Sequence, residues 1–556
     1  KRVWEQDCAD GTPPNGFNYG TELTEESEIL AAGGDVITNS HGTHVTGIAA
    51  GAWKGNPWYG VAYDADLVLV SMSSDENLNV NNVCVSDAIS YIFSYAESVG
   101  KPCVINMSLG TTIGPHDGTS PFDLLAGRLQ GKGRLLVGSS GNFGSSKTHV
   151  SKCFLDSTDQ PLKTFVNWAE KPTANSRVAK LDLWGDGEVD FEVTLAIVNI
   201  KTGEIVQQSE PISSNGESTV FLLSKNSKGQ VAVASEINPF NGKNHVSCAL
   251  NVSSIRINHA LAVIVSPLSS GTVHMWADNT HVSFTNNNLE GWFDGDDDFS
   301  IGEIGGTGKE VLSVGAYTTR CQYLELDETT PKMTDEHIGC LSSFSPNGPT
   351  IDGRMKPDVS APGSFIISSL SSHDVNISRY PLVSYALWED KSFPYGYMQG
   401  TSMAAPFVTG VVALWLQAFP SLSISDLHDI LSKTSIEDEY TGNLNIGNSQ
   451  WGYGKINAME GLRLILNSTG LDPVKKEDFV TISFLDNKLN FLFSGILDKA
   501  SMTISDVSGR VLTSKCFSNL SFGDKCAFPL DDLPKGIFIV NVIYGKNTNT
   551  FKFVKN

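Results

Sequence analysis

Two kinds of apolar pattern divide the chain. In the first, apolar residues run together. Leu67-Val68-Leu69-Val70 and Leu135-Leu136-Val137-Gly138 read as strands, and Phe407-Val408-Thr409-Gly410-Val411-Val412-Ala413-Leu414-Trp415-Leu416 is apolar on nearly every face, which predicts a buried helix. In the second, short segments alternate or run apolar between Gly/Asn/Ser turns at regular intervals: Val178–Trp184, Phe191–Val198, Thr219–Leu223 and His259–Val265. That spacing is the mark of an antiparallel sandwich, and it predicts a jelly-roll-like domain over 148–285. Beyond a polar linker, Lys475-Lys476-Glu477-Asp478, strands return at Phe479–Leu485, Leu489–Phe493, Met502–Ile504, Val511–Leu512 and Phe538–Tyr544, predicting a β-sandwich over 478–556. The remaining stretches, 1–147 and 286–470, predict a mainly parallel sheet with helices on both faces. The fold class is therefore α/β with two all-β additions.

Composition narrows the function classes. A chain of 556 residues allows about three or four domains. No uninterrupted apolar run is long enough to span a membrane, and no signal peptide is visible, as expected if the N-terminus has been removed. A net charge of −22 argues against nucleic acid, for which a basic face is expected. Nine cysteines form no repeating metal spacing. Cys321 with Cys340, and Cys516 with Cys526, can pair across short segments, whereas Cys84, Cys103 and Cys248 read as buried thiols.

Candidate chemistry lies in three separated segments. Gly400-Thr401-Ser402-Met403-Ala404-Ala405-Pro406 puts a serine where a turn becomes the buried helix, with Pro406 placed in its first turn. Backbone N–H groups at such an end have no intrahelical partner and favour developing negative charge. A serine hydroxyl needs a base, and Asn39-Ser40-His41-Gly42-Thr43-His44 supplies His41 at the start of a Gly/Ala-rich helix suited to close packing. Asn142 follows the strand Leu135–Ser139, where its carboxamide is suited to donate to an oxyanion. Taken singly, Ser402 reads as a helix cap, Asn142 as a turn residue, and His41 with His44 as a metal pair lacking a third ligand at zinc spacing.

Together these segments, in this order, resemble the subtilisin-like serine proteases, the subtilases. Gly60–Asp66, Val104-Ile105-Asn106-Met107-Ser108-Leu109-Gly110, Glu310–Ala316, Lys356–Gly363 and the closing Trp451–Asn457 carry the likeness further. The resemblance implies an acyl-transfer endopeptidase acting on proteins or peptides. His41 would be the base, His44 its structural companion, Ser402 the nucleophile, and Asn142 with the Ser402 amide the oxyanion hole. Ser108, Leu109 and Gly110 would lie beside bound peptide and line its P1 pocket, with Ser140 and Gly141 also facing substrate. No metal or cofactor is implied as a catalytic requirement.

One part of that pattern is missing. In the subtilisin order an Asp precedes the His by about thirty residues, at the end of an apolar strand. Asp10 has the spacing but neither it nor Asp7 follows a buried strand, and Asp35 stands too close to His41. Lys1-Arg2-Val3-Trp4-Glu5-Gln6-Asp7 resembles a segment that follows the Asp strand in one group of subtilases. The expectation is an Asp carried on a preceding fragment or companion chain. An inactive pseudoprotease, or a latent form held by its propeptide, is the alternative.

His41 and Ser402 stand 361 residues apart, against about 160 in the subtilisin example, so inserted sequence is expected, mostly after Asn142. A second insertion between Gly363 and Gly400 is rich in Tyr, Trp and Phe and should form a packed loop near Ser402. Gly291-Trp292-Phe293-Asp294-Gly295-Asp296-Asp297-Asp298 invites a structural calcium but lacks the closing Glu of an EF-hand, and a solvated acidic turn is the simpler account. Ile504–Leu512, Leu533–Val540 and Phe551–Lys555 resemble the C-terminal sorting sandwich of type-nine secretion, which implies a secreted or cell-surface protein.

Overall fold

The structure is a computed structural model, and it describes all residues except 34–38, 53–56, 73–80, 169–176, 279–281, 327, 389–390, 445, 469–479, 486–487, 494–496, 507–509, 521–524, 532, 545–546 and 556. Asp35 and the linker Lys475–Asp478 lie outside the described residues. The chain forms two compact units, Lys1–Ile465 and Leu466–Asn556.

The first unit begins with β1 (Arg2–Glu5), β2 (Thr21–Leu23), α1 (His41–Ala50), β3 (Val68–Ser71), α2 (Asn81–Ser98), β4 (Cys103–Met107), α3 (Pro121–Leu129) and β5 (Arg134–Ser139). After the β insertion come β6 (Leu312–Thr318), β7 (Val359–Ser364), β8 (Ile366–Ser369), β9 (Leu382–Trp388), β10 (Lys391–Met398), α4 (Thr401–Ala418), α5 (Ile424–Thr434) and α6 (Ala458–Ser468). Strands β7-β6-β5-β4 form a parallel sheet. Apolar side chains on both faces require cover on both. On one face the cover is α4, whose Ala404, Ala405, Val408, Val411 and Val412 pack on Val137, Leu312, Val314 and Val359. This helix is long and apolar enough to cross a membrane, but 67% of it is buried in the fold. Its close approach to α1 depends on Gly410, where a Cβ would sit 2.5 Å from the Val61 Cβ and 2.9 Å from the Ala49 carbonyl oxygen.

A second sheet has the order β2-β1-β3, with β1 and β3 parallel. It is anchored by Trp4, fully buried against Phe17, Tyr19 and Tyr91. Among the described residues β3 pairs with β1 alone and β4 with β5 alone. Both strands are under-buried for their sequence: Leu69 is 41% exposed, and Val68, Val70 and Val104 are half-buried. The starts of the two strands are nonetheless tied together, since Lys101 Nζ meets Asp66 Oδ2 at 2.5 Å.

Between Asn142 and Ser300 the chain makes two six-stranded antiparallel sheets. One holds Leu162–Trp168, Phe191–Asn199 and His259–Pro267, the other Arg177–Gly185, Lys228–Ile237 and Asn244–Ser254. Alternate residues of each strand point into one shared core, including Leu181, Leu183, Val193, Leu195, Val231 and Val263. The acidic turn after these sheets is engaged by protein donors: Lys147 Nζ lies 2.6 Å from Asp294, the Lys147 amide donates to Asp297 at 2.9 Å, and His149 Nδ1 lies 2.6 Å from Asp296. The unit Leu466–Asn556 is a two-sheet β structure around Leu489, Phe491, Met502, Ile504, Phe538 and Val540. All nine cysteines are free thiols, so neither pairing open in the sequence is formed.

Candidate active site

Ser402 is the second residue of α4, reached through Gly400, whose φ of 144° suits a residue without a side chain. Its backbone N–H has no partner among the described residues, as the first turn of a helix dictates. The next turn corrects an expectation: the helix starts at Thr401, so Pro406 lies in its second turn. A proline there denies a helical hydrogen bond to the carbonyl four residues back, which is that of Ser402. The vacancy is met from outside the helix, because Ser108 Oγ donates to the Ser402 carbonyl at 2.8 Å. Asn106 Nδ2 donates to Ser108 Oγ at 3.0 Å, and Thr409 Oγ1 donates to Asn106 Oδ1 at 3.0 Å, fixing that hydroxyl from behind.

Asn142 stands three residues past the end of β5. Its Oδ1 accepts from the Thr401 amide at 2.9 Å and from Thr401 Oγ1 at 3.1 Å. With the oxygen so engaged, the amide orientation is set and Nδ2 is the group left to donate. Thr401 Oγ1 also donates to the Gly141 carbonyl at 2.8 Å, locking the loop to α4.

His41 opens α1, where the Asn39 side chain accepts from its amide at 2.7 Å. Burial holds its imidazole below the ordinary histidine value, and among the described residues no carboxylate acts on it. Asp7 and Asp10 are exposed in the loop after β1. His44, one turn on, is fully buried and is pushed down to about 4 by that burial. Its Nε2 faces the carbonyls of Ile366 and Gly396 at 3.1 and 3.2 Å, so it pins α1 to β8 and β10.

His41, Asn142 and Ser402 line one cavity of about 360 Å³. The five residues placed beside substrate by sequence do not line it. Ser108 supports Ser402, and the Leu109 carbonyl accepts from Ser139 Oγ at 3.2 Å. Ser140 is fully buried, its amide bonded to Val314 and its carbonyl to Gly302, while Gly141 is bonded to Thr401. Gly110 leads to Thr111, whose carbonyl accepts from the Glu303 amide at 2.7 Å.

Sequence reasoning missed Thr401 as the group that orients Asn142, although it stands inside the Gly-Thr-Ser motif. The aromatic-rich insertion, expected as a packed loop near Ser402, supplies the far wall through Arg379, Tyr380, Pro381 and Tyr397, of which Arg379 and Pro381 had not been singled out.

Comparison with known proteins gives the chain's family and fold. The model of the subtilase family matches residues 34–455, well over half of the chain. The chain is 36% identical over 112 residues to the minor extracellular protease Vpr of Bacillus subtilis, covering 20% of this chain and 12% of that protein. It is 35% identical over 126 residues to the serine protease AprX of the same organism, covering 23% and 25%. The chain thus spans a quarter or less of these relatives. Among solved structures, the CspB protease of Clostridium perfringens superimposes with a TM-score of 0.61 at 21% identity, covering 84% of this chain and 88% of that one, which speaks to the fold. The subtilisin-like core, its order of motifs and the family match lead to one statement: the chain belongs to the subtilase family.

Proposed function

We propose that this protein is a serine endopeptidase that hydrolyses peptide bonds by acyl transfer. The observation that carries the proposal is the meeting of His41, Asn142 and Ser402 on one cavity, with the Ser402 amide unpaired at a helix start. His41, kept neutral by its burial, takes the Ser402 proton as Oγ attacks the scissile carbonyl. The oxyanion is received by Asn142 Nδ2 and the Ser402 N–H. The protonated His41 then gives its proton to the leaving amine, and water repeats the sequence in reverse to free the acid. Peptide on the acyl side runs along Ser108–Gly110 as an added strand. The likeness to extracellular proteases and the C-terminal β unit favour an exported protein.

The imidazolium formed in this cycle needs a carboxylate. In our reading it comes on a strand from outside residues 1–556, seated between β3 and β4. Neighbouring strands lie about 4.8 Å apart, and the Asp66–Lys101 pair spans the starts of β3 and β4 without their being bonded neighbours. A strand parallel to both would end at the same edge of the sheet as β5, where Asn142 lies. An Asp at that end would arrive beside α1 and His41.

The test is labelling with a fluorophosphonate serine probe. Covalent labelling of Ser402, lost in Ser402→Ala, supports the proposal. A folded protein whose Ser402 stays unlabelled with and without an Asp-bearing strand favours a binding module, the second reading, to which the lack of a carboxylate acting on the His41 ring among the described residues points.

A further inference from the structure

We infer that Phe365 makes this cavity select a large apolar side chain, aromatic or long aliphatic, on the first residue beyond the scissile bond. The inference rests on the peptidase reading above and names the class of substrate that this site takes.

Position comes first. In that reading the acyl half of a substrate runs along Ser108–Gly110, and none of these residues lines the cavity beside Ser402. The cavity extends the other way, from His41 and Ser402 to Phe365, Tyr397 and Met398. That is where the chain beyond the scissile bond must pass, because His41 has to reach its departing amine. The space begins at Ser402 itself, so the first residue past the bond is the one that meets it. At about 360 Å³ it sits near the small end of ligand pockets, which run from about 300 Å³, and suits one large side chain with the backbone that carries it.

Surface comes second. Away from His41, Asn142 and Ser402, most of the wall is rich in carbon: Phe365, Tyr380, Pro381, Tyr397, Met398 and Met403. Arg379 also lines the cavity, but its charge already acts on the Asp374 carboxylate. Among the described residues no Asp or Glu lines it, and burial keeps His41 neutral. Aromatic rings offer a broad apolar face to a guest side chain, and methionines adapt their shape to it and favour contact with another ring.

The backbone comes third. Phe365 is the single residue between β7 and β8, and its φ is 51°. Glycine makes such a turn freely, whereas a bulky side chain rarely adopts it. The neighbours hold Phe365 there. Arg320 Nη1 donates to its carbonyl at 2.5 Å, and the same guanidinium lies 5.3 Å from the centre of the Tyr397 ring. Tyr323 stacks on the Phe365 ring at 5.1 Å and 11°, and lies 5.6 Å from the Tyr397 ring. One arginine and one tyrosine thus clamp two aromatic residues of the wall. Strain that the surroundings over-determine gathers at ligand clamps, and here it keeps a phenylalanine on the cavity where a glycine would leave a gap.

The test uses peptides with one common acyl half and Phe, Ala or Glu at the first position after the scissile bond, together with an ester of the same acyl half that carries no leaving peptide. The full protein, with whatever strand partner it needs, should cleave the Phe peptide about tenfold faster in kcat/KM than the Ala peptide, with the Glu peptide slowest. The Phe-to-Ala ratio, taken within each protein, does not depend on how much active material a preparation holds. Phe365→Gly, which suits the positive φ but removes the ring, should bring that ratio down to about twofold. Phe365→Leu, which keeps apolar bulk at the same φ, should retain most of it. Equal cleavage of the three peptides, a ratio unmoved by Phe365→Gly, or a ratio lost equally in Phe365→Leu overturns the inference, while ester hydrolysis by the unsubstituted protein leaves the peptidase reading standing. Absence of that ester hydrolysis overturns the peptidase reading and takes this inference with it.

Discussion

One half of the catalytic unit is closed and the other open. On the β5-β6-β7 side every strand is paired on both sides or capped, and Leu135, Val137, Leu312, Val314, Val359 and Ala361 are at most 1% exposed. Even its charged residues are matched: Lys356 Nζ lies 2.7 Å from both Asp358 and the Val311 carbonyl, and Asp358 also accepts from the Ser313 amide at 2.7 Å. On the β3–β4 side, strands of equally apolar sequence remain partly exposed. The closed half builds Asn142 and the start of α4 completely. Among the described residues, the open half presents His41 with no carboxylate to hold it. A sheet that follows its pattern everywhere except at one edge points to what belongs at that edge.

The largest expected effects break the closed half. Asp358→Ala strands the Lys356 ammonium in a dry interior and should destabilise the unit by about 3–5 kcal/mol in chemical unfolding. The same carboxylate sets an acid limit. Burial alone would raise it, but Lys356 and His428 hold it at about 2. Because the folded value lies below the unfolded one of about 3.9, its contribution is full above that value and fades as pH falls towards 2. Thermal unfolding from pH 6 to 2 should show this loss, and Asp358→Asn should remove this part of the pH dependence.

Next come changes at Asn142 and Thr401, the proposed oxyanion side. Asn142→Ala should lower hydrolysis about 10²- to 10³-fold with little loss of stability. Thr401→Val, which keeps the shape but removes the hydroxyl that orients Asn142, should give a smaller loss in kcat, read against an unchanged unfolding curve.

Smaller effects are expected at the open edge, and they discriminate most sharply. Leu69→Lys should cost less than about 1 kcal/mol in the chain by itself, because the residue is already 41% exposed. Val314→Lys, at a fully buried position in a strand of the closed half, should prevent folding. If both were equally disruptive, the edge would not be open. Smallest of all, Asp66→Asn removes an exposed pair with Lys101 and should shift stability by at most about 1 kcal/mol.

The separate motifs were legible because each puts an unusual residue at the end of a regular element: Ser402 before an all-apolar helix, His41 before a Gly/Ala-rich one, Asn142 after a buried strand. The two kinds of β pattern were legible for a similar reason, since alternation and turn spacing are local. What stayed hidden depends on residues hundreds of positions apart. Ser108 looked like substrate-facing backbone, yet it supplies the hydrogen bond that Pro406 withholds from Ser402. Pro406 itself was placed one turn early because the helix start at Thr401 depends on the Gly400 turn. That the aromatic-rich insertion packs near Ser402 was legible, but which of its residues make the wall, Arg379 to Pro381, follows from strand pairing of β8, β9 and β10.

On the proposed function, Ser402 is a nucleophile whose base becomes competent when a carboxylate-bearing strand fills the open edge. The most direct measurement is the rate of Ser402 fluorophosphonate labelling with an apolar strand peptide ending in Asp, against the same peptide ending in Asn. The account predicts acceleration by up to about 10⁴-fold with the Asp strand alone. An acid limb of labelling that burial holds below the ordinary histidine value without it should move upward, because a neighbouring carboxylate favours the imidazolium. Equal rates with both peptides, once exchange protection of β3 and β4 shows both to be bound, would contradict it.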